Sequence, residues 1–483
     1  MNRPIVRLYG LVAVLFALLV VFTSRWTIFE ASSLRENKLN ARVVLEQQRI
    51  DRGPILAADG TVLARSVQRA EGVYTRTYPT GGEFAHAIGY YYNTGLGSTG
   101  LEQFRNSALN GRSGTNLQSV LDQLQGKEPR GDKIITTLEP SAQRVANAAL
   151  AGHRGAIVAL DPRTGAVTAM ASAPSFNPNA LRSSRGYKQV LSDKTGKPLV
   201  NRATQFGYAP GSTFKVVTAT AAIDTGAFTP TSVVSGRNDI PISGVALQND
   251  HDESFPQITL TQALVHSVNT AWAQVAVRLG KSTLARYMNR FGFDHKPQLD
   301  YPAEEMSSSG EYAGTKGLVS PTSPLVDVGR MGIGQDKLEV TALQMAEVAA
   351  AVANHGRLMV PHLTDRIVDS EGQTVQRISP KVQSVVMKPS TATAVIGMME
   401  AVVNEGTGTA ARIPGVQVAG KTGTAETLIG NSINNVWFIA FAPAANPTVA
   451  VAVTLQGVPG EGASFAAPVA REVIESLLRS QHG

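Results

Sequence analysis

Short apolar runs stand at both ends of a long helical stretch, and that arrangement limits what the chain can build. From Gly155 the chain reads GAIVALDPRTGAVTAMAS, and from Val416 onward it reads VQVAGKTGTAE, NVWFIAFAPA and PTVAVAVTLQGV. Each run is rich in Val, Ile, Ala and aromatics, and turn residues such as Asp161 to Gly165 interrupt them, as strands require. Between them, from Ser212 to about Ala353, the apolar residues follow a helical pattern, as in VTALQMAEVAAAVAN, and the chain closes with the helical APVAREVIESLLRS. Strand pairs joined by short turns lie antiparallel, and the helices must cover them. The expected class is α+β, one antiparallel sheet flanked by helices.

Upstream of this region, Arg3 and Arg7 precede the uncharged run Leu8 to Ser24, which Arg25 and Trp26 follow. About 17 residues is the short end of what spans a bilayer, and the flanking arginines can reach either interface. The run reads as an uncleaved signal anchor, with Ala31, Ser32 and Ser33 as the alternative cleavage positions. Charge counting leaves the orientation open, because Arg25, Arg35, Lys38 and Arg42 oppose Arg3 and Arg7. A polar helical stretch, Glu30 to Gln48, follows, and RGPILAADGTVLAR then reads as a hairpin turning at Asp59-Gly60. The expected organisation is an anchor over 1–29, a smaller membrane-proximal domain over 30–135, and a larger domain over 136–483.

The formal charge of +7 and a pI near 9.5 suit an anionic membrane surface or wall polymer. No basic block with interleaved aromatics occurs, so a nucleic-acid partner is set aside. The absence of cysteine excludes thiol catalysis, thiolate metal sites and disulfides. The histidines lack H-E-x-x-H spacing, and no metal or cofactor is expected; His266 reads as a helix-end residue. GLGSTG, Gly95 to Gly100, fits G-x-G-x-x-G but has no βαβ context for a dinucleotide.

The chemistry is concentrated in YAPGSTFKVVTATAAI, Tyr208 to Ile223. Pro210 and Gly211 break the chain, Ser212 opens a helix, and Lys215 stands three residues on, within reach on the same face. A serine hydroxyl needs a base to become a nucleophile, and a lysine serves only if burial or a second cation lowers its pKa. S-x-x-K alone also describes a capping serine followed by a surface lysine. Two further motifs bear on the choice. S-x-N occurs at Ser175, Ser267 and Ser432, and K-T-G at Lys194 and Lys421. Context selects Ser267 to Asn269, between two helical runs, and Lys421 to Thr424, in an apolar strand; Lys194 to Gly196 reads as a turn.

S-x-x-K, S-x-N and K-T-G in this order resemble the penicillin-binding protein and serine β-lactamase superfamily. RGPILAADGTVLA, STGLEQ, GAIVALDPRTGAVTAMAS, GIGQDKLEVTALQMA and GTGTAARIPGVQVAGKTGTAE are similar to class B penicillin-binding proteins, and the compact size points to the actinobacterial PbpA type. The resemblance implies a transpeptidase fold and a serine D,D-transpeptidase that cross-links peptidoglycan, with β-lactams as covalent inhibitors. It implies Ser212 as nucleophile, Lys215 as base with Lys421 lowering its pKa, Ser267 as proton relay, and Asn269 on the substrate backbone. Thr422 and Thr424 would meet the substrate carboxylate beside Lys421, Gly423 would leave room for the peptide, and the N–H groups of Ser212 and Thr424 would form the oxyanion hole. S-V-N in place of S-D-N, and the absence of an E-x-x-L-N segment, imply poor hydrolysis. The implied location is the cell membrane, single-pass, with the catalytic domain outside. The implied partners are stem peptides, a SEDS-type glycan polymerase, and division or elongation proteins. A D,D-carboxypeptidase or a β-lactam-sensing receptor is the alternative.

Overall fold

The computed structural model describes residues 2–25, 48–70, 72–92, 97–111, 130–426 and 433–481. Most of the polar stretch expected over 30–48, the cleavage positions Ala31, Ser32 and Ser33, and Gly95 and Ser432 lie outside these.

The expected antiparallel sheet has five strands: β1 (Arg154–Leu160), β2 (Val167–Ala173), β3 (Ala419–Glu426), β4 (Asn434–Ala442) and β5 (Val449–Val458). Their spatial order is β3-β4-β5-β1-β2, every pair antiparallel. The terminal strand pairs of the region therefore meet along the β5–β1 seam, where Ala452 lies opposite Val158. At the β1–β2 turn the N–H groups of Thr164 and Gly165 donate to the Asp161 carbonyl, and Gly165 adopts φ +82°.

Helices cover both faces, which is why the strands read as nearly continuous apolar runs. On one face Ile157, Val436, Phe438 and Val451 pack with Ala142, Ala146, Val473 and Ile474 of the helices Pro140–Ala149 and Gly462–Ser480. On the other, Val158, Trp437, Ile439 and Ala452 belong to a second core with the helix Ala342–Ala353. Every residue of that helix is buried, and Thr341 caps it by accepting from the Gln344 N–H. Each fully buried large apolar side chain contributes about 1.5–3 kcal/mol.

A second, mixed sheet is built mainly from the N-terminal part. Its six strands run Thr374–Arg377, Thr364–Val368, Lys133–Thr136, Ile55–Leu56, Val62–Ala70 and Val73–Thr77. The hairpin turns at Asp59-Gly60, where the Ala57 N–H donates to Thr61 O and Gly60 takes φ +88°. Two of the strands come from far downstream, and Thr364–Val368 pairs with Lys133–Thr136. Under this sheet Arg52 and Arg76 both pair with the fully buried Glu102, at 2.7 and 2.6 Å.

The N-terminal helix, Asn2–Ser24, takes in Arg3 and Arg7 as well as the expected apolar run. Its segment Arg3–Ser24 is long and apolar enough to cross a membrane.

Candidate active site

Backbone contacts set the position of Ser212. Gly211 to Phe214 form a 3₁₀ turn, and the α-helix proper runs Lys215–Asp224. Gly211 holds φ +52°, where a Cβ would lie 2.5 Å from Thr424 O, and its N–H donates to Gly334 O. Upstream, Tyr208 and Val340 exchange two backbone hydrogen bonds, and the Trp437 Nε1–H donates to Ala209 O at 2.9 Å. Strand β3 lies directly against the turn. A Cβ on Gly423 would stand 2.6 Å from Pro210 O. Gly423 thus admits the nucleophile's own turn, a tighter demand than the expected room for a peptide.

The middle motif follows the helix Leu260–Val265, which Thr259 caps and His266 ends. Ser267 then takes φ +57°, a left-handed conformation that costs a non-glycine residue about 1 kcal/mol or more, and Asn269 opens the helix Asn269–Leu279.

The structure brings all three motifs together. The Lys215 Nζ lies 2.9 Å from Ser212 Oγ, 2.6 Å from Ser267 O, 2.7 Å from Asn269 Oδ1 and 3.3 Å from Ser267 Oγ. The Lys421 Nζ lies 2.9 Å from Ser267 Oγ, 3.1 Å from Thr422 O and 3.2 Å from Thr422 Oγ1. Ser212 makes no cap hydrogen bond, so the capping reading of S-x-x-K falls away.

Both lysines are fully buried. Burial lowers Lys215 from 10.5 to about 7, against the opposing charge of Asp250. Burial also pulls Lys421 well below the usual ammonium range, and the charge of Lys215 adds to that fall. Desolvation, the largest cause at both, is what leaves Lys215 able to be neutral near pH 7, and the repulsion between the two ammonium groups disfavours their being charged together. A neutral Lys215 has two N–H bonds. Ser267 O and Asn269 Oδ1 can only accept, so they take both, and the lone pair is left for the Ser212 hydroxyl.

Two expected substrate contacts are already engaged within the protein. The Asn269 amide gives Oδ1 to Lys215, and its Nδ2 donates to Gln248 O and Asp250 Oδ1, each at 3.2 Å. Both N–H bonds of the amide are thus engaged within the protein in the absence of substrate. The Thr422 hydroxyl is 5 % exposed at the residue level and bonds Thr407 Oγ1 at 2.7 Å. Thr424 does line the cleft, together with Ser212, Asn269, Asp250, Asp336 and Glu461, around about 660 Å³. A larger cavity of about 750 Å³, between Glu83, Arg144 and Phe176, holds none of these residues. Asp250 and Thr407 escaped sequence reasoning, since nothing in QNDHD or EGTGT marks them before folding.

The unused motif copies have structural roles. Ser175 Oγ donates to Gly82 O, Asn177 caps Pro178–Arg182, and the Gly196 N–H donates to the Asp193 carboxylate within a turn.

Residues 155–475 match the penicillin binding protein transpeptidase domain, and residues 52–134 match the penicillin binding protein A dimerisation domain. The chain belongs to the penicillin-binding protein transpeptidase family. It is 34 % identical to the peptidoglycan D,D-transpeptidase PbpA of Mycolicibacterium smegmatis, over 99 % of each chain. Identity to PbpA of Mycobacterium tuberculosis is also 34 %, over 100 % of each. The ceftriaxone acyl-enzyme complex of penicillin-binding protein A from M. tuberculosis superposes with a TM-score of 0.80 at 32 % identity, covering 90 % of this chain and 100 % of that one. In this penicillin-binding protein the transpeptidase match spans the five-stranded sheet and all three motifs, and the dimerisation match falls on the mixed sheet.

Proposed function

We propose that the chain is a membrane-anchored serine D,D-transpeptidase, cross-linking peptidoglycan stem peptides through an acyl-enzyme on Ser212 and acylated there by β-lactams. The observation that carries this reading is the Lys215 amine, 2.9 Å from Ser212 Oγ, with both its N–H bonds committed elsewhere. Lys215 takes the hydroxyl proton as Ser212 Oγ adds to the carbonyl carbon of the penultimate D-Ala. The N–H groups of Ser212 and Thr424 hold the oxyanion; one such donor is worth about 3 kcal/mol of barrier. Once protonated, Lys215 can donate its third N–H to Ser267 Oγ, 3.3 Å away, and Ser267 accepts that proton as it passes its own to the leaving nitrogen, the C–N bond breaks, and D-Ala departs. Thr424 receives the substrate carboxylate, whose negative charge favours the protonated form of the neighbouring Lys421, while Thr422 holds Lys421 in place. An acceptor amine then attacks the ester, forms the new peptide bond and returns a proton to Ser212.

The relatives named peptidoglycan D,D-transpeptidase support the transpeptidase assignment over a carboxypeptidase or a receptor. Peptidoglycan lies outside the cytoplasmic membrane, so the catalytic domain belongs outside, with the helix Asn2–Ser24 as a single span. The domain division at 29 and 135 belongs to the same reading. A separate SEDS-type polymerase supplies glycan strands, because nothing in 30–131 resembles a glycosyltransferase. In-membrane cross-linking at native expression should recover that complex; monomer alone would count against it.

The direct test is covalent labelling. A fluorescent penicillin should label the full chain with a long-lived adduct, and Ser212→Ala should abolish it. Labelling that survives, or moves to Ser175, would sink the assignment.

A further inference from the structure

Of the carboxylates lining the cleft, all outside the three motifs, Asp250 bonds the motif residue Asn269, and the segment around it is built with unusual backbone. Gln248 to Asp252 lies across the start of the helix Asn269–Leu279. Asn249 is buried; its Oδ1 accepts from the Thr270 N–H and hydroxyl at 3.0 and 3.1 Å, and its Nδ2 donates to Gly236 O and Glu253 O at 3.0 and 2.8 Å. The next residues, His251 and Asp252, both adopt left-handed conformations at φ +55° and +56°. Two consecutive non-glycine residues there cost on the order of 1–3 kcal/mol each. Asn238 steadies the strained pair, accepting from the Asn249 N–H at 2.7 Å and donating to Asp252 Oδ1 at 3.1 Å. What this turn achieves is the placement of Asp250, whose Oδ1 accepts from Asn269 Nδ2 at 3.2 Å.

We propose that Asp250 is a positioning residue of the acylation machinery: it locks the Asn269 amide with its oxygen on Lys215 and gives the two buried lysines their facing negative charge. The inference rests on the reading of Lys215 as base for Ser212. An amide can rotate by half a turn and present N–H instead of oxygen. Two acceptors, Gln248 O and Asp250 Oδ1, hold Nδ2 on the far side, so Oδ1 alone faces the lysine. The charge then acts in the transition state. When Lys215 takes the Ser212 proton, a new cation forms in a dry site beside Lys421, and Asp250 is the counter-charge that opposes desolvation at both lysines. The other charged groups lining the cleft are Asp252, Asp336, Glu461 and Arg330, with His251. Of these, Asp252 bonds Asn238, Asp336 pairs with Lys337, Arg330 with Asp327, and His251 with Glu461.

The experiment is the second-order rate of acylation by a chromogenic β-lactam between pH 5.5 and 9, on the full chain in detergent. The variants are Asp250→Asn, Asp250→Glu and Asp252→Asn. Removing the charge at 250 makes Lys215 easier to deprotonate and a weaker base. For Asp250→Asn the acid limb should move to lower pH by about half a unit, a modest shift because solvent reaches Asp250, and the plateau should fall roughly tenfold. Asp250→Glu should restore the limb, and Asp252→Asn should leave it in place. A merely structural Asp250 would lower Tm and the amount of active protein without moving the limb, and that result would overturn the proposal. An equal limb shift in Asp252→Asn would overturn it too, by showing a generic field effect. Wild-type acylation through Ser212 with an unmoved limb in Asp250→Asn would reject this inference alone. Acylation that survives Ser212→Ala would reject the reading beneath it.

Discussion

Lys215 becomes a base through burial. Its ammonium pKa falls to about 7 because no water solvates the charge, and burial likewise pulls Lys421 well below the usual ammonium range, with the charge of Lys215 adding to the fall. The two lysines therefore have different tasks. Lys215→Ala removes proton abstraction and should cut acylation by on the order of a thousandfold or more, whereas Lys421→Arg keeps a cation, changes its geometry and should cost less. In the wild type the rate should rise with pH through a limb near 7, since protonated Lys215 is inactive as a base. The check is the acylation rate across pH with a thioester ending in D-Ala, with and without a D-amino-acid acceptor. Equal losses at the two lysines would mean a single coupled base, and hydrolysis in preference to aminolysis would favour a carboxypeptidase.

Among the elements, the helix Ala342–Ala353 joins the second core to strands β1, β4 and β5, and it carries one anomaly. Glu347 is 3 % exposed, its Oε1 has no partner among the described residues, and burial alone raises its pKa from 4.5 to about 8. The folded state thus holds a proton that the unfolded state has released between those values. The sign follows: stability falls as pH rises from 4.5 to about 8, then levels off, with a total cost of roughly 5 kcal/mol. Glu347→Gln retains the shape and removes the titration. Its Tm should exceed the wild type by several degrees at pH 8 and by far less at pH 5, measured by calorimetry. An equal gain at both pH values would refute the account.

At the scale of the whole molecule, the mixed sheet ties the N-terminal part of the chain to a segment more than two hundred residues downstream. Lys133–Thr136 sits between Ile55–Leu56 on one side and Thr364–Val368 on the other. A fragment of residues 48–135 would expose that central strand as an open edge, with unpaired N–H and C=O groups. Such a fragment should fail to give a dispersed NMR spectrum as a monomer, and appending 364–377 should restore it. A well-folded isolated fragment would show that the downstream strands are dispensable.

Much was legible before folding because local physics sets it. The apolar runs made strands β1 to β5, Asp161 to Gly165 made the β1–β2 turn, Asp59-Gly60 made the hairpin of the mixed sheet, and the helix Asn2–Ser24 followed from its apolar run. Motif order and context separated Ser267 and Lys421 from their decoys, since a serine before a helix differs in pattern from one in a polar turn. Other features depend on parts of the chain that are distant in sequence. Gly423 is glycine because Pro210 approaches it, Asn269 faces Lys215 because Asp250 and Gln248 hold its amide, and Thr364–Val368 is a strand because Lys133–Thr136 offers it an edge. The dominance of desolvation over like-charge repulsion at the two lysines was likewise beyond the sequence. Desolvation is a property of the closed site, and S-x-x-K by itself does not reveal how dry that site becomes.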